Sequence, residues 1–164
     1  MVLRAFELRD LDYFLSFFGD AAASEHVGGP SGREDTWRRM LAGAALWNLT
    51  GVGMWAVEER ASGKLLGIVG FFNAWRDLEP EFGEEPEMGW IMAADSHGKG
   101  IASEACRAAL EWAQANLKPT CIWAIIAPAN EASIRLAEKL GFERVGETSY
   151  HNDPTLVFRR PAWG

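Results

Sequence analysis

The feature that most limits what this chain can fold into is a strand–turn–helix–strand run between Glu87 and Ala127. EMGWIMAA reads as a strand, and a glycine turn follows at His97-Gly98-Lys99-Gly100. From about Ile101 to Asn116, the apolar residues Ile101, Ala105, Ala108, Ala109 and Trp112 recur at helical spacing, with Glu104, Arg107 and Glu111 outside. Pro119 ends that unit, and CIWAIIA then reads as a second, buried strand. Two strands joined through a helix imply at least one parallel pairing within a mixed sheet.

The remainder fills in around this unit. Residues 2–8 contain β-formers and predict an edge strand. Asp10 opens a helix carrying Tyr13, Phe14, Phe17 and Phe18, with Gly19 as its stop. Ser31 and Glu34 match a capping box for a second helix through Trp37, Met40, Leu41, Ala44 and Ala45. GVGMWAVEE and KLLGIVGFFN form a hairpin-like pair, and an acidic loop bearing Glu79, Glu81, Glu84 and Glu85 leads into Glu87. Asn130 caps the helix NEASIRLAEKL, Gly141 stops it, and two short strands near 143–149 and 155–159 finish the chain. The class is α/β (or α+β) with a mixed sheet, in one domain over 1–164 with no internal repeat.

Charge and cysteine usage narrow the function classes. Sixteen Lys and Arg stand against 23 Asp and Glu, a net charge of −7, which lacks the basic footprint of a nucleic-acid binder. No apolar run approaches the roughly 18 residues a bilayer-spanning helix needs. The charged start (Arg4, Glu7, Arg9, Asp10) is not that of a signal peptide, and Cys106 and Cys121 have neither disulfide-scaffold density nor zinc spacing. A cytoplasmic location is expected. The histidines His26, His97 and His151 are scattered, and no metal is expected.

Chemistry concentrates at residues 97–102. Glycines let a backbone turn tightly against a ligand, and the unpaired N–H groups of the following helix point outward at its positive end. A pyrophosphate suits such a place, with Lys99 adding charge at the rim. A Walker loop needs four residues between its first Gly and Gly-Lys, then Ser or Thr, and that is absent. A Rossmann fingerprint needs Gly or Ala where Ser103 stands, near a chain start. The third pattern, Gln/Arg-x-x-Gly-x-Gly/Ala, is the coenzyme A loop of the GNAT acetyltransferases. Residues 97–102 resemble it, with His97 in the first place.

A second motif follows one strand later. Asn130-Glu-Ala-Ser133 through Lys139-Leu-Gly141-Phe142 resembles the GNAT signature N-x-x-S…K-L-G-F. With LLGIVGFFN, EMGWIM, HGKGIASEA and EKLGF, nearly the whole chain is similar to the GNAT branch that acetylates ribosomal-protein N-termini. The resemblance implies a mixed, mostly antiparallel sheet of six to seven strands, splayed between two central parallel strands and flanked by about four helices. It implies acetyl-CoA in the splay as cosubstrate, its pyrophosphate on His97, Gly98, Lys99, Gly100, Ile101 and Ala102. Asn130 and Ser133 would face the same cleft, and backbone N–H groups near Ile91 and Met92 would hold the pantetheine arm and the thioester oxygen.

The implied reaction is direct acetyl transfer to a primary amine. Glu87 is the candidate base, because the family-like E-x-G-[YW] strand sets a carboxylate near the cleft among apolar neighbours, where its pKa rises. The general-acid tyrosine of many relatives is replaced by Ala137, leaving that role vacant, or to Ser133, or more weakly to Tyr150. On the acceptor side His26 and Trp75 are candidates. If the acidic run rims the mouth, it would attract a cationic small-molecule or peptide amine. The assembly reads as monomer or homodimer, without nucleic acid or membrane. A non-catalytic acyl-CoA-binding or sensor domain of the same fold is the alternative, favoured by Ala137. A nucleotide-binding domain using the same turn is a third reading.

Overall fold

The uncharged run LLGIVGFF becomes a strand in which every residue from Leu65 to Phe71 is buried, as continuous apolar composition demands. It is β3 (Leu65–Phe72) of a sheet with β1 (Val2–Arg4), β2 (Met54–Glu58), β4 (Glu87–Met92), β5 (Cys121–Ile126), β6 (Glu143–Tyr150) and β7 (Asp153–Pro161). The strand order is β1-β2-β3-β4-β5-β7-β6. Every neighbouring pair is antiparallel except β4 and β5. The helices are α1 (Leu11–Gly19), α2 (Ala21–Ser24), α3 (Arg33–Thr50), α4 (Ile101–Asn116) and α5 (Glu131–Lys139). These features come from a computed structural model that describes residues 1–161, so the end of the domain expected over 1–164 lies outside the described residues.

Pleating sends alternate side chains to opposite faces, and each face has its own core. Val69, Phe71, Met88 and Met92 pack on the α4 and α5 side with Ala105, Ala109 and Ala137. Ile68, with Ile91 against it, meets Phe14 and Phe18 of α1 and Met40 of α3 on the other. The mixed sheet, the parallel pair and the crossover helix follow the sequence reading, with seven strands and five α-helices among the described residues. Helix α5 ends in paired C-terminal bonds, Phe142 N–H to the Ala137 carbonyl and Gly141 N–H to the Glu138 carbonyl, both 3.0 Å.

Three local expectations change. No capping box forms at α3: Gly32 precedes it without a side-chain cap, and Ser31 Oγ instead lies 3.2 Å from Thr36 Oγ1. The edge strand stops at Arg4, whose guanidinium turns to Asp10 and Glu58. The last two strands are longer than expected. His151 and Asn152 both take positive φ (53° and 69°), the geometry of a tight hairpin that matches strand twist, so pairing runs up to the Tyr150–Asp153 pair.

Candidate active site

Beyond Glu87 the two parallel strands part. Only Glu87 and Trp123 are in register, secured where Trp123 N–H donates to the Pro86 carbonyl at 2.9 Å. Past that point the β5-facing edge of β4 has no strand partner, and a cleft of about 990 Å³ opens at the strand ends. Open α/β sheets place ligands at the carboxyl ends of their parallel strands.

The glycine turn forms one wall. Gly98 and Gly100 have φ of +72° and +78°, and a Cβ added to either would meet nothing within 4 Å, so the space before them is open. Helix α4 begins at the next residue, Ile101, and its first N–H groups face that space. Ile91, Met92, His97 and Ala102 also line the cleft, and a ring nitrogen of His97 lies 3.3 Å from the Met92 carbonyl. Lys99 is exposed on the turn. Opposite, the Asn130 carboxamide oxygen accepts from the Ser133 N–H at 3.1 Å, capping α5. Ser133 Oγ accepts a hydrogen bond from Trp90 Nε1 at 3.2 Å. His26 reaches the cleft from the turn after α2.

The remaining candidates gather elsewhere. Glu87 is 3% exposed and belongs to a second hollow of about 520 Å³ under the 73–85 loop. Both its oxygens accept from Arg76, from Nε at 2.6 Å and from a terminal nitrogen at 2.9 Å. Burial pushes the Glu87 carboxyl up from the ordinary glutamate range, and the hydrogen bonds and charge of Arg76 offset only part of that rise. Trp90, the nearest cleft-lining residue on the strand, is three steps of extended chain from Glu87, about 10 Å. The expected base is thus engaged by a guanidinium and lines the second hollow, next to the point where the strands part. Tyr150 is drawn to the same cluster, with Arg76 4.5 Å over its ring and His151 beside it. Trp75 is 74% exposed and lines the second hollow.

The acidic run is partly structural. Glu85 accepts from the Thr120 and Cys121 N–H groups and the Thr120 hydroxyl, fastening the loop to the start of β5. Glu79, Glu81 and Glu84 remain exposed. Ala137 is fully buried in the core. Sequence reasoning missed two residues. Trp90 packs against the core and also faces the cleft, and its position in E-x-G-[YW] was the available signal. Arg76 had no signal, because its partners arrive from β3, β4 and β6.

An open glycine cradle at a helix N-terminus, leading to a strand edge without a partner, fits a ligand with a pyrophosphate and an amide-bearing arm. Among the described residues no group of three or more His, Cys, Asp or Glu could hold a metal ion, and no helix is long and apolar enough to cross a membrane.

Residues 1–143 match the family model described as an acetyltransferase (GNAT) domain. The uncharacterised protein YkkB of Bacillus subtilis (strain 168) is 32% identical over 113 residues, 69% of this chain and 63% of that protein. The chain therefore spans less than two thirds of that relative's length. A putative GNAT-family acetyltransferase structure from Bordetella pertussis superposes with a TM-score of 0.83 at 26% identity, over 96% of this chain and 93% of that one. A spermidine N-acetyltransferase from Vibrio cholerae, solved with CoA and spermine, has a TM-score of 0.74 at 20% identity, over 98% and 95% of the two chains. That last likeness is one of fold.

Proposed function

The chain belongs to the GNAT acetyltransferase family, and on that premise we propose that it is an acetyl-CoA-dependent N-acetyltransferase acting on a primary amine in a ternary complex. The observation that carries this is the Gly98–Gly100 turn, which opens α4 at the mouth of the β4–β5 splay. On this reading the turn and α4 hold the pyrophosphate, while the unpartnered edge of β4 near Ile91 and Met92 holds the pantetheine arm. The acceptor nitrogen attacks the thioester carbon; the N–C bond forms, the C–S bond breaks and the amine loses a proton. Water in the cleft carries that proton away, since Arg76 occupies Glu87. The Ser133 hydroxyl hydrogen-bonds to the departing sulfur, and solvent supplies its proton.

The acceptor is a cationic amine. His26 sits on the cleft wall, and Trp75 stands exposed near Glu79 and Glu81 on the neighbouring hollow. Such a rim attracts positive charge, and the Vibrio cholerae relative of this fold was solved with spermine. The likeness of LLGIVGFFN and HGKGIASEA to the ribosomal branch keeps a protein N-terminus as the other acceptor class. One observation favours the non-catalytic CoA-binding reading: the place of the family's tyrosine is a buried alanine, Ala137.

Thermal melting with acetyl-CoA, CoA, NAD and ATP tests the proposal. A ligand that binds only the folded state at one hundred times its Kd adds about 2.7 kcal/mol, an upward shift of about 5–10 °C at this size. A shift selective for acetyl-CoA and CoA, followed by thiol release with spermidine or a basic peptide, is expected. A shift with NAD or ATP alone overturns it, and CoA binding without thiol release across an amine panel establishes the binding-only reading.

A further inference from the structure

Trp90 stands on β4 and Ser133 on α5, the two sides of the splay, and one hydrogen bond joins them: indole Nε1 to Ser133 Oγ, 3.2 Å. Both residues line the cleft and are half-buried, and the indole also meets the Phe142 ring edge-on at 6.4 Å. An indole N–H only donates, so Ser133 Oγ must be the acceptor in this bond. A serine hydroxyl has two acceptor sites and a single proton that rotates to suit. Inside a helix that proton ordinarily turns back to the carbonyl of the preceding turn. Here the oxygen is drawn across the splay toward β4. With an acceptor site filled by Trp90, the hydroxyl is polarised as a donor, and its proton is left for whatever occupies the cleft.

Resting on the acetyl-CoA reading above, we propose that Trp90 is a positioning residue. Its indole N–H holds the Ser133 oxygen so that the hydroxyl proton points at the sulfur of CoA. The ring fills the cleft wall with apolar surface, and the N–H sets the donor's direction. Trp90 itself makes no bond to the sulfur and acts through Ser133.

The test uses binding and needs no acceptor. Coenzyme A and desulfo-coenzyme A, which lacks only the sulfur, are titrated calorimetrically into four proteins: wild type, Ser133→Ala, Trp90→Phe and the double variant. Measurements at pH 7 and pH 9 compare the thiol with its thiolate. Because the two ligands share every other contact, their affinity ratio is insensitive to general damage to the cleft. Wild type is expected to prefer CoA by about fivefold, the worth of one hydrogen bond, and by more at pH 9, where the acceptor is charged. Ser133→Ala and Trp90→Phe should each bring the ratio close to one, and the double variant should lower it no further.

A Trp90→Phe ratio equal to wild type overturns the proposal, as do losses that add in the double variant. A wild-type ratio of one with both ligands bound overturns it too, leaving the acetyl-CoA reading intact. Failure of wild type to bind either ligand removes both. If Trp90→Phe does not fold, benzothienylalanine placed at position 90 keeps the bicyclic shape without the N–H and is expected to give the same flattened ratio; a retained preference would refute the role.

Discussion

Glu87 shows how one side chain's partners decide what it can do. A carboxylate among apolar neighbours is a plausible base by composition, yet two guanidinium N–H groups occupy both its oxygens. Taking a proton there would break a buried ion pair, and removing one partner of such a pair is strongly destabilising. Glu87→Gln keeps the shape but loses the charge opposite Arg76. It is expected to lower stability by about 2 kcal/mol, with CoA affinity unchanged and the acidic limb of the pH–rate profile retained. Loss of that limb would return the base role to Glu87. Ser133→Ala is expected to lower kcat by about tenfold with acetyl-CoA KM within twofold, the signature of a contact made as the sulfur leaves. Arg76 was illegible in sequence because its role rests on Glu87, Phe72 and Tyr150, brought together from three strands.

At the scale of elements, the turn before α4 is where local chemistry and ligand binding coincide. An alanine at position 100 must hold φ near +78°, costing about 1–2 kcal/mol. Its methyl meets no protein atom, only the open cleft. Gly100→Ala is therefore expected to fold, to melt slightly lower, and to bind CoA about tenfold more weakly, as titration calorimetry can read. Unchanged affinity would make the turn purely structural. This element was legible from residues alone, since Gly-x-Gly before a helical pattern states both the conformation and the donors it exposes. The hairpin of β6 and β7 was legible only in outline. Its length rests on His151 and Asn152 adopting positive φ, and on β7 being buried through pairing with β5, a contact from 30 to 40 residues away.

For the whole molecule, the polar link at the sheet's edge matters beyond its local geometry. Arg4 donates to both oxygens of buried Asp10 at 2.7 Å and to Glu58 at 2.6 Å, tying β1, the entry to α1, and β2. Burial opposes ionisation of Asp10, but the Arg4 bonds and the Glu7 N–H outweigh it, holding the carboxyl below the usual aspartate range. A depressed folded-state value means the contribution is complete above about pH 4 and is lost as pH falls through that lower value. Asp10→Asn should therefore cost about 2–3 kcal/mol at pH 7. In urea melts across pH, the gap from wild type is expected to close below about pH 4; a gap that persists there would show that packing, not charge, holds this edge.

Residue order alone determined the class, a parallel pair and the helix between its strands. These follow from short-range rules: apolar period, glycine conformation, caps, and the chain economy of a crossover. Tertiary structure decided that Arg76 engages Glu87, that Trp90 meets Ser133, and that two hollows divide the candidate residues. Those outcomes depend on side chains from distant segments competing for the same hydrogen bonds, and no local pattern encodes who wins.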